Sequence, residues 1–168
     1  MSRAELLVQI EQIAREAGAK IMAVYETDDF GVEMKADNSP LTKADKAASE
    51  LIVQRLSEIS EYPVVSEEND IRSVDGTFWL VDPLDGTKEF VKRGGDFTVN
   101  IALIENNAPV MGVVYAPVID VLYAGDATIG RAHKQTSEGK TNIVAEADTS
   151  KPVVVASKSH KNQETEDF

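Results

Sequence analysis

Two long segments with helical spacing of apolar residues come before a series of short strand-like segments. In 6–25 the apolar side chains recur every three or four residues, which predicts an amphipathic helix with one buried face. A second helical pattern covers 44–59, and Thr42 and Asp45 have the spacing of a capping box at its start. This order predicts an α+β protein in which two N-terminal helices pack on a sheet.

The strand-like segments are short and are joined by turn-forming residues. They read PVVS at 63–66, FWLVD at 78–82, FTVNIALIE at 97–105 and VMGVVYAP at 110–117. Asn106, Asn107 and Pro109 are turn formers between the last two, which predicts an antiparallel pair. We therefore expect a largely antiparallel sheet in a single layered domain over 1–168, with the start of its C-terminal part near 150–168.

Composition and charge exclude several classes of function. The chain has no cysteine, so it offers neither a disulfide nor a thiolate metal site. It has 29 acidic and 17 basic residues, a formal net charge of −12 at pH 7, which repels nucleic acid and anionic lipid. Charges interrupt the apolar positions of 1–18, unlike a signal peptide or a membrane span. We expect a cytoplasmic protein without a nucleic-acid partner or a transmembrane segment; weak peripheral association with the inner membrane and the oligomeric state are left open.

The stretch FWLVDPLDGTKEF, at 78–90, places two acids at the end of an apolar strand. Asp82 and Asp85 are three residues apart, and Gly86 permits a tight turn after them. Crowded carboxylates raise each other's pKa, and a bound cation relieves that repulsion. Oxygen ligands suit Mg²⁺, which keeps positions open for phosphate oxygens. The segment GTKEFV then predicts a helical turn whose first amides could bind an anion such as phosphate, with the Thr87 hydroxyl beside them.

A second acidic segment, SEEN at 66–69, follows the neighbouring predicted strand. It carries Glu67 and Glu68. Taken singly, each of these acids is best explained as a solvated or turn-capping residue. Two acidic loops at the ends of neighbouring strands favour a shared metal site instead, because an ordinary turn does not require the second loop.

Several motifs resemble those of a known family. The segments WLVDPLDGTKEF, KADNSPLTKAD, SEEN and SKSH are similar to the inositol monophosphatase superfamily, and within it to the CysQ-type 3'(2'),5'-bisphosphate nucleotidase branch. The resemblance covers nearly the whole chain in order. It implies α/β/α/β/α layers, a dependence on Mg²⁺ and sensitivity to lithium. It also implies hydrolysis of adenosine 3',5'-bisphosphate to AMP and phosphate, a reaction linked to sulfate assimilation.

The resemblance also implies roles for individual residues. The metal ligands would be the side chains of Glu67, Asp82 and Asp85 and the backbone carbonyl of Leu84. Asp45 and the Thr87 hydroxyl would hold and activate the attacking water. Contacts to the substrate are implied at Glu67, Leu84, Asp85, Gly86, Thr87, Ser157 and His160.

Simpler roles compete with some of these assignments. Asp45 has a capping role available at the second helix. Ser157 and His160 fit incidental positions at the end of a strand and the start of a surface helix. His133 shows no motif around it, and we expect it to be structural.

Three alternative functions stay open at this point. Haloacid-dehalogenase phosphatases use the first acid of a similar motif as a nucleophile, but there one residue separates the acids, whereas Pro83 and Leu84 do so here. An inositol or sugar monophosphatase would share the same metal motif. The third alternative is a catalytically incomplete metal-binding fragment, because the family's C-terminal Trp-Asp motif is absent and Trp79 is the only tryptophan.

Overall fold

Two long helices lie on one face of a seven-stranded sheet in the computed structural model, which describes residues 1–35, 39–68, 74–145, 155 and 163–167. Helix α1 spans Arg3–Tyr25 and helix α2 spans Lys43–Ile59. Each begins with a capping box, which satisfies amides of the first turn from the local sequence. Within the described ranges, no helix combines the length and the apolar character that crossing a membrane requires.

The sheet is antiparallel except at one edge. Its seven strands lie in the order in which they follow one another in the chain; the first, Val64–Ser66, pairs parallel with the second, Phe78–Asp85, and each later pair is antiparallel. The predicted α+β class, with two helices on a largely antiparallel sheet, is confirmed. The strands are β3 (Val64–Ser66), β4 (Phe78–Asp85), β5 (Thr98–Glu105), β6 (Ala108–Ala116), β7 (Val121–Asp126), β8 (Arg131–Thr136) and β9 (Gly139–Asn142).

Several short elements complete the described chain. The helical turn expected after Gly86 is present, whereas the small antiparallel pair of β1 and β2 was not predicted. Two-residue strands are too short to show an alternating pattern in the sequence. The short elements are β1 (Glu33–Met34), β2 (Pro40–Leu41), α3 (Thr87–Val91), a 3₁₀ turn (Ala127–Ile129) and α4 (Gln163–Asp167).

The hairpin between β5 and β6 turns on two asparagines. Asn106 has φ of 51° and Asn107 has φ of 61°, a left-handed conformation that asparagine tolerates well. Pro109 was expected in the turn but lies in β6 opposite Ile104. The register shifts between Leu103 and Ile104, and an irregularity of this kind is where a sheet accepts a residue without an amide donor.

One apolar core lies between the helices and the sheet. On β4 the side chains alternate, so that Trp79 and Val81 are buried against the helices while Leu80 is 47% exposed on the other face. The Trp79 indole donates a 2.7 Å hydrogen bond from Nε1 to Oγ of Ser60, the residue after α2. Strand β4 is therefore fixed to the helical layer just before its acidic end.

Ionisable side chains tie α1 to the strands beneath it. Arg3 donates from Nε to Asp126 Oδ2 and from Nη1 to Glu105 Oε1, each at 2.9 Å. Further along α1, the Glu11 Oε1 atom lies 3.2 Å from Nε2 of His133, which belongs to β8. Burial lowers the pKa of His133, although the negative charge of Glu11 acts in the opposite direction and raises it. The ring packs between α1 and β8, in keeping with the structural role expected for it.

Candidate active site

Strands β3 and β4 end side by side, and the predicted acids lie at their ends. The Glu67 amide donates a 3.1 Å hydrogen bond to the Val81 carbonyl, which continues the parallel pairing one residue beyond β3. The pairing of β4 with β5 is irregular between Asp82 and Asp85. The structure thus brings together the two acidic segments that the sequence analysis placed at neighbouring strand ends.

Gly86 makes the sharp turn from β4 into α3. Its φ is 94°, and a Cβ atom added there would lie 2.7 Å from the Asp96 carbonyl oxygen. A side chain at this position would therefore meet both backbone strain and a clash with backbone. Only glycine lets the chain pass directly from the acidic strand end into a helical turn.

Thr87 and Asp45 meet at the start of α3. The Thr87 hydroxyl lies 3.0 Å from Asp45 Oδ1 and 3.1 Å from the Leu84 carbonyl oxygen, both of which are acceptors. The other oxygen of Asp45 accepts 2.7 Å and 2.5 Å hydrogen bonds from the Thr42 amide and hydroxyl. The buried Asp45 carboxylate therefore caps α2 with one oxygen and faces Thr87 with the other.

The charge at the end of β4 is poorly compensated. Burial raises the pKa of Asp82 to about 7, and the charges of Glu67 and Asp85 add to this effect. The Leu84 amide, 3.2 Å from Asp82 Oδ1, opposes it by hydrogen bonding to the ionised form. A site whose carboxylate resists ionisation in this way gains stability from a nearby cation.

Lys35 supplies positive charge at the neighbouring strand end. Its Nζ lies 2.8 Å from Glu67 Oε1 and 2.7 Å from Glu68 Oε1. Burial nevertheless raises the pKa of Glu68, although its pairing with Lys35 lowers it. Nothing in the sequence singles out this lysine, because its position in KADNSP carries no signal that it faces acids more than 30 residues later.

The donor set fits a hard divalent cation, although its side chains are not converged. Among the described residues, no three His, Asp or Glu side chains are arranged to hold one ion together. Glu67 instead pairs with Lys35, and Asp82 bonds to the Leu84 amide. The oxygens of Glu67, Asp82, Asp85 and the Leu84 carbonyl are the ligand type that Mg²⁺ prefers.

Asn100 and Thr98 support the site from β5. Asn100 lies opposite Asp82 in the strand register, and its Nδ2 donates a 3.2 Å hydrogen bond to Asp85 Oδ2. The Thr98 hydroxyl donates to Asn100 Oδ1 at 3.0 Å, which orients the amide. The sequence does not single out either residue; the only signal is that Thr98 and Asn100 are polar within the otherwise apolar run FTVNIALI.

A groove of about 460 Å³ lies over the acidic end of β4 and the start of α3. Asp45, behind Thr87, is buried beneath it. The predicted Ser157 and His160 lie outside the described residues. The predicted site residues that line the groove are Glu67, Asp82, Leu84, Asp85, Gly86 and Thr87.

Comparison with known proteins supports the resemblance inferred from the motifs. A sequence profile described as "Inositol monophosphatase family" matches residues 2–168. The chain is 46% identical over 169 residues to the 3'(2'),5'-bisphosphate nucleotidase CysQ of Shigella flexneri, a match that covers 97% of this chain and 68% of that relative. The predicted family resemblance is therefore confirmed.

Solved structures give the same result. The crystal structure of CysQ from Bacteroides thetaiotaomicron superposes with a TM-score of 0.79 at 41% identity, covering 97% of this chain and 66% of that one. An inositol monophosphatase from Anabaena superposes with a TM-score of 0.61 at 26% identity, covering 78% of this chain and 45% of that one. The chain thus spans about two thirds of the length of each of these two CysQ proteins.

Proposed function

Because the chain belongs to the inositol monophosphatase family, we propose that it is a Mg²⁺-dependent phosphatase that hydrolyses adenosine 3',5'-bisphosphate to AMP and phosphate. The observation that carries this proposal is the Asp45–Thr87 hydrogen bond beside the acidic end of β4. It places a hydroxyl in the groove, and a carboxylate beneath it, next to the oxygens proposed as metal ligands. The biological setting we propose is sulfate assimilation in the cytoplasm.

The proposed cation site uses four donors. Glu67, Asp82 and Asp85 would contribute side-chain oxygens, and Leu84 would contribute its carbonyl. When bound, Mg²⁺ supplies positive charge that neutralises phosphate oxygens and lowers the pKa of a coordinated water. The poorly compensated charge of Asp82 supports a cation here. Inhibition by lithium is a further part of the proposal.

The protein's own groups would position the water and the phosphate. Thr87 lines the groove and is bonded to Asp45, so its hydroxyl oxygen can accept a hydrogen bond from the attacking water. The water's proton would pass by way of that hydroxyl to Asp45 Oδ1, since Oδ2 is held by Thr42. The amides of Gly86 and Thr87, at the turn into α3, would donate to phosphate oxygens.

The substrate assignment rests on similarity to a named nucleotidase. The identity to CysQ is 46%, against 26% to the Anabaena inositol monophosphatase. We therefore propose an inositol or sugar monophosphate only as the second candidate for the substrate. Ser157 and His160 are proposed as nucleotide contacts. A covalent phosphoaspartate at Asp82 is disfavoured, because β4 pairs antiparallel with β5, unlike the parallel sheet of dehalogenase-type enzymes.

The test is phosphate release from adenosine 3',5'-bisphosphate and from inositol 1-phosphate by the purified chain. We expect faster release from the bisphosphate, loss of activity with a chelator and recovery on adding Mg²⁺. Faster release from inositol 1-phosphate would favour the second candidate. If this chain is inactive and a version extended to the length of its relatives is active, the fragment alternative is correct.

A further inference from the structure

Lys35 makes two ion pairs at the strand ends where the proposed cation would bind. Its Nζ lies 2.8 Å from Glu67 Oε1 and 2.7 Å from Glu68 Oε1. The Lys35 side chain is only 20% exposed and that of Glu68 only 11%, whereas that of Glu67 is 52% exposed. The pair with Glu68 is therefore better shielded from solvent and salt than the pair with Glu67.

The backbone holds Lys35 in place. It directly follows β1, and its amide donates a 2.9 Å hydrogen bond to the Ser39 carbonyl, which closes the small hairpin. Strand β2 of that hairpin then leads into Thr42, the cap of α2. Lys35 is therefore anchored to the hairpin that leads into the helix carrying Asp45, unlike a lysine on a free surface loop.

The negative charge around Lys35 explains why a positively charged side chain is stabilising at this position. Glu67, Glu68 and Asp85 all add negative charge around Asp82. Four acids this close repel one another unless positive charge is present. Lys35 supplies part of that charge to the Glu67 and Glu68 side of the cluster.

We propose that Lys35 is a built-in counter-cation that competes with the divalent cation for Glu67. The inference rests on the proposed function, because it takes Glu67 as a metal ligand. A glutamate oxygen bonded to an ammonium group cannot approach a metal ion without bringing two positive charges together. Cation binding at Glu67 therefore weakens the Lys35–Glu67 pair through charge repulsion, while the better shielded Glu68 retains the lysine.

The competition is reciprocal and can be measured without turnover. We expect Lys35→Gln to bind Mg²⁺ about fivefold more tightly than the parent chain, the size of effect that one partly exposed ion pair supplies. Lys35→Arg keeps the charge and should bind close to the parent value. The matched control is Lys43→Gln, which removes the same charge from a lysine that pairs instead with Asp29. Isothermal titration with MgCl₂ reports all four affinities.

A second measurement uses the unmodified chain, so it holds even if Lys35→Gln fails to fold. Acylation of lysine amines, followed by peptide mass spectrometry, should show Lys35 reacting faster when Mg²⁺ is added, while exposed Lys20 on α1 stays unchanged. Unchanged Lys35 labelling, or Lys35→Gln binding no more tightly than the parent, would overturn the inference and leave the metal site intact. An absence of Mg²⁺ binding to the parent would overturn the metal site as well.

Discussion

At the scale of single residues, the candidate site depends on the two oxygens of Asp45. Oδ2 accepts from the Thr42 amide and hydroxyl, and Oδ1 accepts from Thr87. A buried carboxylate with both oxygens bonded has a defined orientation, because rotation would break a capping bond. Substitution of Asp45 would therefore disturb the start of α2 as well as the proposed proton acceptor.

Substitution of Thr87 tests the proposed mechanism more directly than substitution of Asp45, because it leaves the cap of α2 intact. We expect Thr87→Val to lower the turnover of adenosine 3',5'-bisphosphate about 100-fold, because it removes the hydroxyl that positions the water. The free energy of unfolding should fall by about 2 kcal/mol, because the lost hydrogen bond is to a buried carboxylate. Thr87→Ser, which keeps the hydroxyl, is the control and should retain most of the activity. A Thr87→Val variant with parental turnover would remove Thr87 from the mechanism.

At the scale of secondary-structure elements, the start of α1 is anchored by a buried charge. The Asp126 side chain is fully buried and accepts from Arg3 and from the Thr128 amide and hydroxyl. Burial alone would raise the pKa of Asp126, but these hydrogen bonds outweigh it, so the pKa lies below its ordinary value. Asp126 thereby joins α1, β7 and the 3₁₀ turn.

This anchor predicts how stability responds to acid. A carboxyl whose folded pKa is below its unfolded pKa contributes stability that is complete above the unfolded value, near pH ~4, and is lost as the pH falls through the folded value. We expect Asp126→Asn to lower the free energy of unfolding by about 2 kcal/mol at neutral pH, and the difference from the parent to shrink in acid.

Urea unfolding of parent and variant, followed through Trp79 fluorescence from neutral pH down to strong acid, checks this prediction. The control is Asp120→Asn, since Asp120 forms an exposed pair with Arg15 and should contribute less. A difference for Asp126→Asn that stays constant across the whole pH range would contradict the assignment.

The elements themselves were largely predictable from local patterns. The helical spacing and the Thr42–Asp45 capping box located α2, and the apolar runs located β4, β5 and β6. Pro109 was placed in a turn because proline is a common turn former, yet the register shift lets it lie within β6. Such shifts depend on how two strands align, which neither strand's sequence states alone.

At the scale of the whole molecule, the two faces of the sheet are very different. Helices cover one face, whereas the other forms a groove of about 970 Å³ that includes Leu80, Val114 and Tyr123. Val113 and Val114 are neighbours on β6, but they are 2% and 44% exposed. That contrast follows from the alternation of side chains along a strand.

Neighbouring valines allow a matched test of this arrangement. We expect Val114→Lys to change the free energy of unfolding by no more than about 0.5 kcal/mol, because the charge stays in contact with water. Val113→Lys should cost at least about 3 kcal/mol, because it buries an unpaired ammonium group beneath the helices. Urea unfolding of both variants decides the matter, and equal losses would contradict the assigned faces.

The single domain predicted over 1–168 stays a prediction, and so do the roles of the site residues. The chain spans about two thirds of the length of the two CysQ relatives, and its activity is proposed on that similarity. What the fold does establish is that one apolar core joins both helices to strands of the sheet. The groove with the predicted acids lies at the edge of that core.

The sequence by itself determined the helices, most of the strands, the family and the acidic motif at the end of β4. These features depend on periodicity, capping and short-range spacing, which are written in contiguous residues. Only the tertiary structure decided that Lys35 pairs with Glu67 and that Asn100 supports Asp85. Such contacts join residues distant in the chain, and their geometry is set by strand register and packing.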